Sequence, residues 1–70
     1  MEDESRKKFG KEVQRVRLQQ GLSQQEVADR ADIKLATLQK IEAGKFNVPF
    51  DIANRIAVVL DCEIRLKHVK

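Results

Sequence analysis

Cysteine occurs once in these 70 residues, at Cys62, and histidine once, at His68. A lone cysteine excludes an internal disulfide. With a single histidine there is no metal-ligand set and no nucleophile–base pair, so Cys62 is read as a small half-buried thiol. Tryptophan and tyrosine are absent. No apolar run approaches the ~18 residues of a membrane span and no secretory leader pattern is visible, so a cytosolic chain is expected. A chain this short also leaves no room for an enzyme's usual pocket of ~300–1,000 Å³ and its supporting shell. Paired carboxylates with a pocket, a phosphate-cradling glycine loop and a ligand cluster are all missing. Neither an enzyme nor a cofactor is expected.

What remains is one small domain of ordinary composition, 41% hydrophobic and 36% charged. A chain of this size buries only a little over ~60% of its unfolded surface. About 3–5 kcal/mol of net stability is expected from such a core. The net charge is +3 and the pI about 9.3, a mild lean toward anionic partners. The basic residues cluster early: Arg6, Lys7, Lys8, Lys11, Arg15 and Arg17 stand against one acid, Glu12. A solvated helix face is the alternative reading of that cluster. Glu2, Asp3 and Glu4 partly offset it and fall in a terminal segment, residues 1–8, expected to be flexible.

The pattern is most informative at Ser23-Gln24-Gln25-Glu26. A serine with a glutamate three residues on is a capping box, and Leu22 with Val27 has the spacing of a hydrophobic staple. Ahead of it, Phe9, Val13 and Val16 recur at helical spacing and predict a helix from about Ser5 to Gln20, stopped by Gly21. Gly10 inside that helix costs ~1 kcal/mol relative to Ala and marks a close crossing by another helix. A second helix is expected over Gln24 to Ala31, with Val27, Ala28 and Ala31 inward. A third runs from Lys34 or Leu35 to Ala43, with Leu38 and Ile41 inward, and Gly44 stops it. After a loop from Lys45 to Pro49, a fourth runs from Phe50 to Leu60. Phe50, Ala53, Ile56, Ala57 and Leu60 are its expected inward stripe, widened by Ile52 and Val59.

From Cys62 to Val69 the period changes. Cys62, Ile64 and Leu66 alternate with Glu63, Arg65 and Lys67, as in a half-buried strand. A single strand has no internal partner, and the simplest supply is the same tail of a second copy. A frayed tail or a last helical turn is the alternative. The expected fold is all-α: a compact bundle of four to five short helices containing a helix-turn-helix, with a C-terminal β-strand used in dimerisation. Residues 9–60 form the helix-turn-helix domain and residues 61–70 the strand-like tail.

Arg17-x-x-x-Gly21-Leu22-Ser23-Gln24, Ile41-Glu42-x-Gly44-Lys45 and Arg55-Ile56-Ala57-x-x-Leu60 resemble the phage-repressor family of helix-turn-helix domains, the Cro/Xre type. The resemblance covers roughly Phe9 to Leu60. Three positions depart from the family pattern. Asp32 stands where the inter-helix turn usually has Gly, Lys34 where Ser or Thr usually caps the recognition helix, and Val48-Pro49 where Pro-Ser is more common.

The resemblance implies sequence-specific binding of double-stranded DNA by a transcriptional regulator, a repressor acting as a homodimer through the last helix and the tail. It also implies an ion pair between Arg17 and Glu42 and makes the third helix the reader. A helix fits the major groove, where each base pair shows its own donor–acceptor pattern. Lys34, Leu35, Ala36, Gln39 and Lys40 are the expected base-reading side chains: Gln39 for an adenine edge, Lys40 for guanine or a phosphate, Leu35 and Ala36 for thymine methyls. For Leu35 an ordinary surface leucine is the alternative. Gln24, at the N-terminal end of the second helix, and Lys45 and Asn47 in the loop are expected on phosphates, with Arg15 and the Arg6-Lys7-Lys8 run as secondary candidates. Thr37 suits either a phosphate or a helix-packing role. The competing functional reading is an antitoxin-like or bridging module that binds a protein partner, such as a toxin, as well as DNA. The location implied is cytoplasmic, on the nucleoid.

Overall fold

The computed structural model describes residues 2–60. Four helices follow in order: α1 Glu2–Gln19, α2 Gln24–Ala31, α3 Leu35–Glu42 and α4 Phe50–Leu60. The described residues are all-α, as expected. The strand expected over Cys62 to Val69, and the subunit pairing built on it, lie outside the described residues.

Three helices end in the same way. Gly21 takes φ 71° after α1; its N–H donates to Leu18 O at 3.0 Å and the Leu22 N–H to Arg17 O at 3.0 Å. Gly44 takes φ 75° after α3; its N–H donates to Ile41 O at 3.0 Å and the Lys45 N–H to Lys40 O at 2.9 Å. These paired bonds are Schellman closures, which satisfy carbonyls a helix end leaves open. The third closure follows α2, where Asp32 N–H donates to Asp29 O at 3.2 Å and Ile33 N–H to Ala28 O at 3.0 Å. Asp32 itself occupies the left-handed region at φ 59°, ψ 49°. Aspartate tolerates that region better than most side chains, so the turn survives without glycine.

The helix starts differ in quality. In front of α2 the capping box is complete: Glu26 N–H donates to Ser23 Oγ at 3.0 Å and Ser23 N–H to Glu26 Oε1 at 2.8 Å. At α3 the cap position is Lys34, in extended geometry and with no side-chain cap bond. Its carbonyl still accepts from Thr37 and Leu38 N–H at 3.0 and 3.1 Å, which fixes Leu35 as the first helical residue.

The core is Val13, Val16, Val27, Ala28, Ala31, Leu38, Ile41, Ile56, Ala57 and Leu60, with Phe9, Leu22, Ile33, Ile52 and Val59 packed around it. Helix α1 lies on α3 and α4, and α2 on both α3 and α4. The close crossing expected at Gly10 is present. A Cβ there would run into the Ile41 carbonyl oxygen and stand 3.0 Å from that of Glu42.

Two expectations need correction. Helix α1 begins at Glu2, three residues before the start near Ser5 that the spacing predicts. Glu4, in its first turn, suits the positive end of a helix. Phe50 is not inward but 83% exposed. Helical side chains lean toward the N-terminus, so at the first position of α4 the ring leans away from Ile56, Ala57 and Leu60. The loop before α4 is present as expected, with Phe46 and Val48 packed against the core. Pro49 then opens α4, its carbonyl accepting from Ala53 N–H at 3.0 Å.

Candidate nucleic-acid interface

The site is built outward from one buried ion pair. Arg17 is 7% exposed. Its Nε donates to Glu42 Oε2 at 2.7 Å and its Nη2 to Glu42 Oε1 at 3.0 Å, the two-point contact that a planar guanidinium makes with a carboxylate. The remaining Nη1 donates to Leu22 O at 2.9 Å, which ties the pair to the turn before α2. Three segments therefore meet at this guanidinium: the last turns of α1, the staple residue and the end of α3.

The network then runs to the surface. Gln24 Nε2 donates to Glu42 Oε1 at 2.9 Å, and Gln39 Nε2 donates to Gln24 Oε1 at 3.4 Å. An exposed side chain of α3 is thus joined through Gln24 to a buried charge. One hydrogen bond ties the exposed Gln39 amide back to the domain, and the network behind it ends on the buried pair. Beside it, the Glu26 carboxyl is held below its ordinary pKa, first by the hydrogen bond from Ser23 N–H and further by the Ser23 hydroxyl and Arg30, against a smaller opposing effect of desolvation.

Ala36, Gln39 and Lys40 on α3 and Ala43 at its C-cap are exposed, while Leu38 and Ile41 are buried. The exposed four sit at i, i+3, i+4 and i+7, which is one continuous helix face. Lys34 is exposed at its N-terminal end, and Lys45 and Asn47 are exposed in the loop at the other end. Leu35, expected to point outward, is only half-exposed, as is Thr37. Gln24 is half-buried with its amide turned to Glu42 and Gln39, so its side chain is spoken for within the domain. Ala43 was not among the expected residues; continuing the 36-39-40 spacing by one turn finds it. Arg15 is paired with Glu12 on its own helix.

Among the described residues, no group of three or more His, Cys, Asp or Glu could hold a metal ion, and no helix is long and apolar enough to cross a membrane. Two eight-residue helices joined through a left-handed residue, the second braced from behind and polar in front, define a helix-turn-helix DNA-binding domain. The helix-turn-helix family model HTH_3 matches residues 13–67. The chain belongs to this family, the Xre/Cro-type DNA-binding transcription regulators. No curated protein matches the chain.

Proposed function

We propose that the protein binds double-stranded DNA sequence-specifically, with α3 in the major groove, and acts as a homodimeric repressor. The observation that carries this reading is the exposed face of α3 with Gln39 anchored through Gln24 to the Arg17–Glu42 pair. A side chain already restrained by a hydrogen bond loses less freedom on making a bidentate contact, and glutamine matches the N6 and N7 of adenine. Lys40 reaches a guanine or a phosphate, and Lys34 lies at the end of the helix that enters deepest. Ala36 offers its methyl to thymine, and Leu35 adds the exposed half of its side chain. Lys45 and Asn47 hold the phosphates on one side. Gln24 contributes its place at the N-terminus of α2, where backbone N–H groups face outward, and Thr37 completes the contact set.

Dimerisation rests on a dimension and a surface. The longest extent of the described residues is 29 Å, less than the ~34–36 Å between half-sites one helical turn apart. One copy therefore reads one half-site, and two copies read a rough palindrome. Val58 on α4 is 71% exposed, next to half-buried Val59, and this flank supplies the contact between copies. Repression is occupation of the operator, and the working location is the cytoplasmic nucleoid. A second reading, a protein partner such as a toxin, draws on the exposure of Phe50 and Leu18.

Selection of bound sequences from a random duplex pool, with the mass of the free protein measured alongside, tests the proposal. A repeated half-site with a dimer mass is expected. Recovery of no preferred sequence would refute it, and a monomer mass with a single half-site would remove the dimer.

A further inference from the structure

The family match begins at Val13, so the first turns of α1 fall outside it, and one of them touches the interface. A Cβ on Gly44 would stand 2.8 Å from Lys7 Cγ and 3.0 Å from Lys7 Cα. The α1 backbone at Lys7 is therefore in direct contact with the residue that closes α3, and the next residue is Lys45. Both lysines are exposed. Among the described residues neither ammonium group takes part in a hydrogen bond or ion pair. Two lysines rooted on adjoining backbone can bring both positive charges to one phosphate, which attracts each of them.

A purely structural role for Lys7 would be to offset the negative end of α3. That end is already closed: the Gln39, Lys40 and Ile41 carbonyls accept from Ala43, Lys45 and Gly44 N–H. Lys8, although also exposed, is turned about 100° away around the helix and does not share this flank.

We propose that Lys7 and Lys45 form a two-ammonium clamp on the DNA backbone, so that the N-terminal turns of α1 lengthen the phosphate footprint beyond α3 and its loop. This rests on the reading of α3 as the groove-entering helix. The test is the salt dependence of duplex affinity for the full chain and for Lys7→Gln, Lys8→Gln and Lys45→Gln, on the duplex recovered by selection. Each lost phosphate contact reduces the slope of log affinity against log salt by about 0.9. Lys7→Gln and Lys45→Gln are expected to lower the slope by that amount, to weaken all duplexes alike and to leave Tm unchanged, while Lys8→Gln keeps the wild-type slope. A wild-type slope in Lys7→Gln overturns the clamp, as does a fall in its Tm with the slope intact. If Lys45→Gln lowers the slope and Lys7→Gln does not, only the clamp fails. A wild-type chain that binds no duplex at all refutes the parent reading as well.

Discussion

Asp32 and Glu26 show how single residues set the geometry of the interface. Asp32 holds φ 59° in the turn that aims α3, a position most side chains occupy only at a cost of ~1–2 kcal/mol. Asp32→Ala removes the polar side chain that eases this conformation, whereas Asp32→Gly removes the Cβ that opposes it. Thermal unfolding is expected to show Asp32→Ala less stable than wild type by about 1 kcal/mol, a fall of about 4–8 °C in Tm, with Asp32→Gly at or above wild type. Equal losses in both would mean that the aspartate side chain, not the backbone conformation, is what matters.

Glu26 gives a pH prediction at the same scale. Its folded-state pKa is depressed, so its contribution is complete above the unfolded value, about 4.3, and is lost as pH falls through the lower folded value. The wild type should therefore lose more stability than Glu26→Gln on acidification across that window. Parallel stability–pH curves for the two would rule the carboxylate out as a contributor.

At the scale of elements, the helix crossings decide whether α3 is held at the right height. Gly10 lets α1 approach the last carbonyls of α3, and Arg17, two turns further along α1, grips Glu42. Alanine is the better helix former by ~1 kcal/mol, but its Cβ would meet backbone oxygen that has no room to move. Forced overpacking costs about 1–3 kcal/mol and sometimes more. Gly10→Ala should therefore lower Tm despite its favourable propensity, and a higher Tm would show that the crossing is not close in solution.

Elements were also the scale most legible in the sequence. Ser23 with Glu26, Gly21 and Gly44 are local signals with local causes, and they placed α2 and the ends of α1 and α3. Phe50 was misread because periodicity alone does not register that a first-turn side chain leans off the end of its helix. The start of α1 was misread because acidic residues near a terminus resemble a frayed tail as much as a helix N-terminus. At the interface, the polar candidates and the Arg17–Glu42 pair followed from the resemblance. The Gln39–Gln24–Glu42 relay did not, since it depends on side-chain orientation across fifteen and eighteen residues of sequence. The contact of Lys7 with Gly44 was hidden for the same reason: it is set by how α1 crosses α3, not by any spacing.

The whole molecule behaves as a small frame around one exposed helix face. Among the described residues, a core of ten buried apolar side chains and the buried Arg17–Glu42 pair position α3, and the charge is left where a polyanion can meet it. With a margin of only about 3–5 kcal/mol expected for a domain of this size, stability and binding are hard to separate by deletion of core groups. Substitutions on the exposed face separate them, because they leave the frame intact. The most direct measurement is the affinity of the wild type and of Gln39→Ala for a set of duplexes in which each base pair of the selected half-site is changed in turn. If α3 reads the major groove, Gln39→Ala loses ~1–3 kcal/mol on the selected duplex and ceases to discriminate at one base pair, with preferences elsewhere unchanged. An equal loss on every duplex, with all preferences retained, would contradict a reading role for this helix face.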